Sequence, residues 1–445
     1  MLNNRKNLPM TRMNLSFLKL TVLFFLFIPF CIHQTFGQKE NLPKTSAGFP
    51  VNYDEALVGT YTLPDVLRLN DGTKVNDSKT WEEKRRPELI GLFEQYQFGK
   101  VPSKPADLSF HVFDTGTPVL DGKAVRKQAT IYFTRDTYSY KMDLLMYLPA
   151  NAEKPVPLFF MISFTPNVLT VDDPGIRSGE MWTRDGKKIP ASQGKAFAKL
   201  DIGRLISQGI GVATVYYGDI EPDFKGGIKY GIRGHYLAPG TSQPAPDEWG
   251  AISAWSWGLS RAMDYFETDK DIDAKRIVLY GVSRLGKTVL WTGARDTRFK
   301  MVIASCSGEG GAALSRRDYG ENIKHLTDTS RYFYQFAANY HTYAGKVKEF
   351  PVDAHMLVAL IAPRPLLLQT GDTDYWSDPK GEFLSAVAAE PVYALYGLKG
   401  PGTNVMPDAG DSSMLNTLGY YMHSGGHGTV PSDWDIYMTF IEHYL

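Results

Sequence analysis

The chain has 445 residues, 43% of them hydrophobic, and 48 Lys and Arg balance 48 Asp and Glu to a formal net charge of 0. That length supports one large globular domain with a substantial core. Without a basic excess there is no electrostatic case for a nucleic-acid partner.

The first 37 residues carry Arg5, Lys6, Arg12 and Lys19 and no acid, then an apolar run from Leu20 to Ile32, then Thr35-Phe36-Gly37. This is the pattern of a secretory signal peptide, with cleavage expected between Gly37 and Gln38. About 13 apolar residues are too few for the roughly 20 that cross a bilayer as a helix, which disfavours a membrane anchor. Cys31 follows Ile28-Pro29-Phe30 and lacks the small preceding residue of a lipoprotein signal. The expected mature protein is mildly acidic, exported to the periplasm or beyond, not inserted in a membrane, and monomeric. Only Cys306 lies beyond the leader, so no intrachain disulfide is available to it.

Residues 38 to 86, rich at first in Pro, Asn, Asp and Gly, read as an extended arm on the surface of a catalytic domain that spans 87 to 445. Pro87 to Tyr96 predicts a short amphipathic helix. From Leu108 to Phe113, Gln128 to Thr134 and Lys141 to Leu148, β-branched and aromatic residues alternate with polar ones, as in antiparallel strands with one wet face. The stretch 164 to 194 is long, polar and aperiodic, and reads as an active-site loop over the sheet edge. Leu158 to Ile162, Gly211 to Tyr217, Ile277 to Tyr280, Met301 to Ser305 and Leu366 to Thr370 are short continuous apolar runs, as expected of parallel strands buried on both faces. Ile252, Trp255, Leu259, Met263 and Phe266 form a helical stripe with Asp247 as its expected cap. That spacing favours core packing of the tryptophans over a sugar platform. Antiparallel strands followed by alternating strand and helix give an α/β-hydrolase: a mostly parallel sheet with helices on both faces and antiparallel strands at its N-terminal edge.

The segment RIVLYGVSRLGKTVL, 276 to 290, carries the chemistry. Gly281-x-Ser283 suits a nucleophile elbow, in which a strained strand-to-helix turn lifts a serine hydroxyl above the sheet. The same letters, Gly281, four residues, then Gly286-Lys287-Thr288, satisfy a phosphate-binding loop. The export signal disfavours the nucleotide reading, because ATP is not expected outside the cytoplasm. The elbow has its own irregularity: Leu285 stands where the second glycine belongs, and Gly286 comes one residue late.

Chain order supports the elbow, since this fold places an acid after the serine and a histidine after the acid. His427, flanked by Gly426 and Gly428 in the loop before the terminal helix, is the expected catalytic base; His423 in the same loop is the alternative. Asp374, after the strand 366 to 370, and Glu309, in the glycine-rich run after the preceding strand, both qualify as the orienting acid. Spacing does not separate them. Neither His-Glu-x-x-His nor paired-cysteine spacing occurs, so no metal or cofactor is expected.

These residues resemble the glucuronoyl esterases, carbohydrate esterase family fifteen. The resemblance runs from about Pro87 to the C-terminus through GVSRLGK at 281 to 287, SGEGGA at 307 to 312, PVDAHMLVALIAPRPLL at 351 to 367, DYWSDPKGEF at 374 to 383 and GGHG at 425 to 428. The family's serine motif carries Arg and Lys at these spacings, which accounts for the displaced glycine. The resemblance implies cleavage of the ester between (4-O-methyl-)glucuronic acid on xylan and a lignin alcohol. It assigns Ser283 as nucleophile, His427 as base and acid, Arg284 to the oxyanion, Lys287 to sugar hydroxyls and Trp376 to the sugar pocket. It leans to Glu309 as the acid, with Asp374 retained.

Two departures fall between 321 and 336. Tyr332-Phe333 replaces the usual Trp-Phe pair, and Lys324 stands where fungal enzymes have an amide. The competing activities are a deacetylase of acetylated xylan, which would not need Arg284 and Lys287, and a non-catalytic polysaccharide-binding protein.

Overall fold

In the computed structural model, residues 42–197 and 199–445 are described, and residues 43–445 form one compact unit. The expected leader lies outside the described residues. A nine-stranded sheet organises the unit: β1 Ser109–Val119, β2 Ala124–Tyr132, β3 Lys141–Pro149, β4 Val156–Ser163, β5 Gly211–Tyr216, β6 Ile272–Val282, β7 Met301–Ser305, β8 Leu366–Gly371 and β9 Leu418–His423. Their spatial order is β9-β8-β7-β6-β4-β5-β3-β2-β1. The β1/β2, β2/β3 and β3/β5 pairs are antiparallel and the remaining five are parallel.

Each apolar run expected as a strand is one, because continuous hydrophobicity suits a strand covered on both faces. The two faces alternate along the chain. Leu158, Phe160, Ile277, Leu279, Leu366 and Leu368 point into one core, while Phe159, Met161, Val278, Tyr280 and Leu367 point into the other. The first core is covered by α1 Arg86–Tyr96, α2 Ala251–Phe266, α3 Arg284–Arg295 and α4 Pro379–Ala394, and the second by the short helix Ile202–Ser207 and α5 Asp433–Tyr444. The result is a three-layer sandwich.

Helix α2 is buried all round rather than along one stripe. Its small residues allow this: a Cβ on Gly258 would lie 2.5 Å from Ile220 Cδ1. The tryptophans are core, as the spacing indicated. Trp255 Nε1 donates to Glu221 O at 2.8 Å and Trp257 Nε1 to Pro102 O at 3.1 Å, so each polar edge is satisfied inside the protein. The expected cap is corrected. Gly250 is the N-cap of α2, and Asp247 instead accepts from Lys100 Nζ at 2.7 Å.

Residues 43 to 86 differ from a surface arm in one respect. Val66, Leu69, Val75 and Trp81 belong to the first core, so this segment is part of the same unit as the sheet. Further anchors reach the loops around the site: Gly320 N donates to Asn52 O at 2.9 Å, His325 Nε2 meets Pro50 O at 2.9 Å, and Glu55 pairs with Arg317 and Lys380. The loop 164 to 194 is also more ordered than its aperiodicity suggests. It carries a turn of helix at Asn167–Thr170 and a hairpin of Glu180–Trp182 with Lys188–Pro190.

At the C-terminal edge of the parallel strands, the loops after β8 and β9 approach so closely that position 371 must be glycine. A Cβ there would lie 2.2 Å from Gly426 O and 2.4 Å from Gly425 O, backbone atoms that no rotamer change can move. Gly371→Ala is therefore expected to cost about 1–3 kcal/mol of stability and to shift the loop carrying His427, lowering kcat more than it alters KM. Urea unfolding together with steady-state kinetics on an ester substrate checks both.

Candidate active site

Ser283 follows β6 and stands at the N-cap position of α3 with φ 60° and ψ −127°, a left-handed backbone that a non-glycine residue holds only at a cost. Two close approaches keep it there. A Cβ on Gly281 would meet Leu285 O at 2.4 Å, and one on Gly286 would meet Ser305 O at 2.8 Å. The late glycine thus lets α3 lie against the end of β7, the close packing the pattern expects one residue earlier. Ser283 N also donates to Ser305 O at 2.8 Å.

His427 and Ser283 line one cleft of about 260 Å³ with Arg284, Lys287, Glu321, Arg331, Tyr332, Gln335, Asp374 and Trp376. His427 Nδ1 lies 2.7 Å from Asp374 Oδ2 and 3.3 Å from Ser377 Oγ. A carboxylate only accepts, so Nδ1 carries the proton toward Asp374 and Nε2 is left to receive one. Burial would raise the Asp374 carboxyl, but the hydrogen bond and charge of His427 hold it below the usual carboxylate range. The imidazole is 41% exposed, whereas Asp374 is buried beneath it.

Glu309, favoured by the resemblance, does not join this pair. Its Oε1 accepts from Ser315 Oγ at 2.7 Å and Tyr340 OH at 2.8 Å, and burial pushes its carboxyl up to about 8. A carboxyl neutral at pH 7 cannot stabilise an imidazolium. Of the two acids, Asp374 is the one hydrogen-bonded to His427. His423, the other candidate base, is buried with Nδ1 3.0 Å from Asp433 Oδ2 and Nε2 3.0 Å from Gly426 O. It ties down the loop that presents His427.

Arg284 N follows Ser283 in the first turn of α3, where backbone N–H groups have no helical partner. The guanidinium is fixed by Asp223, bonds Tyr332 OH at 3.3 Å and stacks 4.5 Å over the Tyr332 ring. Lys287, one turn along α3, is buried rather than solvated. Its Nζ donates to Ser307 O at 2.7 Å and lies 3.5 Å from Glu321 Oε2. Turned into the protein this way, it does not serve as a phosphate lysine. Trp376 follows Asp374 in a single 3₁₀ turn and is walled by His325 at 5.2 Å and by Arg331 at 5.0 Å.

Several residues of the cleft carried no signal in the sequence. Arg331, Glu321 and Gln335 line it, and Arg331 Nη1 is buried without a hydrogen-bond partner. Lys324, read as the counterpart of a fungal amide, is exposed and is not a lining residue; Gln335 is. Tyr332 lines the cleft and its neighbour Phe333 does not. Asp223, far from any motif, gathers Arg284, Tyr334 OH at 3.1 Å and Gln335 Nε2 at 2.7 Å. Glu382 accepts from Ser307 Oγ at 2.9 Å and Gly308 N at 2.6 Å and shapes the turn after β7.

Cys306, Asp374 and His427 are the one set of three potential metal ligands among the described residues, with ligand atoms within 4.8 Å. Cys306 Sγ lies 3.4 Å from Gly428 O and accepts from Gly428 N at 3.3 Å, and the other two are engaged with each other. The set fits a hydrogen-bonded network better than a metal centre.

Comparison with known proteins gives the family. A family model described as "Glucuronyl esterase, fungi" matches residues 243–397. Carbohydrate esterase MZ0003, from an unknown prokaryotic organism, is 44% identical over 402 residues, covering 88% of this chain and 92% of that protein. The structure of a glucuronoyl esterase from Solibacter usitatus superposes with a TM-score of 0.82 at 46% identity, covering 87% of this chain and 99% of the other. The chain belongs to the glucuronoyl esterases of carbohydrate esterase family fifteen. A family-fifteen glucuronoyl esterase from Teredinibacter turnerae is similar at 32% identity and a TM-score of 0.75, over 90% of this chain and 94% of that one. In this esterase the family's serine motif and its GGHG loop meet at a single cleft.

The two acids make opposite predictions. Asp374→Asn should lower kcat by about 10³–10⁴-fold, the scale seen when a triad acid loses its charge. Glu309→Gln should keep kcat within about threefold. Because the Glu309 carboxyl is raised in the folded state, the native protein holds a proton that the unfolded chain releases above its ordinary range, so this group lowers stability as pH rises from about 4.5 to about 8. Glu309→Gln removes that loss. The melting-temperature difference, variant minus wild type, should grow from pH 5 to pH 8.

Proposed function

We propose that this chain hydrolyses esters of glucuronic acid, with or without a 4-O-methyl group, at the uronate carboxyl. The observation that carries the reading is the Asp374–His427 pair beside the strained Ser283 turn, in a cleft whose other walls are Lys287, Arg331, Glu321 and Trp376. The first group breaks an ester. The second suits a polyhydroxylated ring with one apolar face.

In the first half-reaction His427 Nε2 takes the proton of Ser283 Oγ as it attacks the C6 carbonyl, and Asp374 stabilises the imidazolium. The oxyanion is met by the backbone N–H of Arg284 and by its guanidinium, which Asp223 keeps in place before substrate arrives. His427 returns the proton to the departing alcohol oxygen. Water repeats the sequence on the acyl-enzyme and releases the uronate. Lys287, Glu321 and the unpartnered Nη1 of Arg331 supply donors and acceptors to the sugar hydroxyls. No cofactor enters these steps.

The natural substrate in this reading is glucuronoxylan esterified to a lignin alcohol, which a polar cleft of this kind in a glucuronoyl esterase supports. Export, expected from the N-terminal leader, fits a polymer too large to enter a cell. An acetyl esterase would use the same triad, but an acetyl group would leave Lys287 and Arg331 without a role.

The test compares wild type and Ser283→Ala on methyl glucuronate, benzyl glucuronate and acetylated xylan. Wild type should cleave the uronate esters and leave acetate bound, and Ser283→Ala should be inactive. Release of acetate with the uronate esters untouched would refute the reading. Lys287→Ala should lower kcat/KM for the uronate esters by roughly 10–100-fold, as expected for a lost buried polar contact to substrate.

A further inference from the structure

One histidine beside the cleft has no part in the chemistry, yet it joins three separate pieces of the chain. His325 is buried. Its Nδ1 accepts from Asn322 N at 3.1 Å, closing the capping box of the short helix Ile323–Thr327, and its Nε2 lies 2.9 Å from Pro50 O. An amide N–H donates and a carbonyl accepts, so the ring proton sits on Nε2 and both nitrogens are used. The ring itself packs on Trp376 with centroids 5.2 Å apart, and Arg331 lies 5.0 Å over the same indole. Glu321 N donates to Trp376 O at 2.8 Å, and Leu326 of the short helix lines the cleft. One wall of the cleft is therefore a single packed unit with His325 behind it.

What holds that unit is a small hairpin from the N-terminal segment. Thr45–Ser46 pairs antiparallel with Phe49–Pro50 across Ala47-Gly48, whose φ values of 51° and 85° are of the sign a two-residue I′ turn requires at both positions. The hairpin offers two groups to the wall. Pro50 O meets His325, and the Phe49 ring stands edge-on to His325 at 5.9 Å with Arg331 5.6 Å above it. The residues that follow extend the hold. Asn52 O accepts from Gly320 N at 2.9 Å, Tyr53 packs on Tyr375 at 6.1 Å, and Glu55 pairs with Arg317, whose other partner is Asp378. Asp378 closes the 3₁₀ turn that carries Trp376.

We propose that residues 49–55 brace this wall for sugar binding and that His325 is the positioning residue through which they act. The inference rests on the uronate-esterase reading. Phe49, Pro50 and His325 lie behind the cleft rather than among its lining residues, so they act on substrate through Trp376 and Arg331. A wall fixed beforehand loses less freedom when the ligand arrives, and that difference appears as affinity. The chemical step is anchored elsewhere: Asp374 is held by its own N–H to Gly371 O at 3.1 Å and by His427. The brace therefore sets binding and leaves the acyl transfer alone.

The test measures kcat and KM for methyl glucuronate, and the inhibition constant of free glucuronate, with wild type, His325→Phe, Phe49→Ala and the double variant. His325→Phe keeps a ring against Trp376 and loses both bonds. Each single variant should raise KM and the inhibition constant together by roughly tenfold with kcat within about twofold, as when binding rather than chemistry is lost. The double variant should be about as impaired as the worse single one, because both changes release the same wall. His325→Gln, which keeps a donor for Pro50 O, should stay within about threefold of wild type. Phe49 is part-exposed, so Phe49→Ala decides the matter alone if a change at the buried histidine prevents folding. Wild-type KM and inhibition constant in Phe49→Ala, a fall in kcat at unchanged KM, or multiplicative effects in the double variant would each overturn the brace while leaving the esterase reading intact. A wild type that does not cleave methyl glucuronate would refute the uronate reading itself, and the brace with it.

Discussion

The turn at Ser283 is the constraint on which the site depends. A non-glycine residue at φ 60° persists only where its surroundings over-determine it. Here β6 delivers the chain from a strand buried on both faces, and α3 removes it at once. Gly281 and Gly286 permit that reversal because their missing side chains are where Leu285 O and Ser305 O pass. The hydroxyl is thereby presented at the sheet edge, and the free N–H groups that open α3 come with it.

Around that turn the protein buries charge in pairs and leaves few groups to chance. Arg284 is held by Asp223, Lys287 by Ser307 O with Glu321 nearby, and His427 by Asp374. Each pairing fixes a side chain before substrate binds, so less reorganisation is needed when charge develops. The carboxyls that lack a cationic partner behave differently. Glu309 and Glu382 are both raised to about 8 by burial and serve as hydrogen-bonded struts for the loops after β7.

The segment that precedes the sheet also bears on the site. Pro50 O holds His325, whose ring packs on Trp376, and Phe49 packs on His325 at 5.9 Å. A stretch whose composition reads as an arm thus supports one wall of the cleft. Its polar, Pro-rich character goes with carbonyls and a carboxylate that bond to the site loops.

Local pattern carried much of this protein. The parallel strands, the buried helix after Gly250, the elbow and the order serine, acid, histidine are written in nearest-neighbour periodicity and glycine placement, which a chain expresses without knowing its partners. The choice between Glu309 and Asp374 is not local. Both leave the ends of neighbouring strands at one sheet edge, and what separates them is that Ser315 and Tyr340 close around the glutamate while the loop after β9 brings His427 over the aspartate. The same holds for Asp223, Arg331 and Gln335, which no spacing relates to Ser283. Those groups meet only because the crossovers bring distant loops to one edge of the sheet.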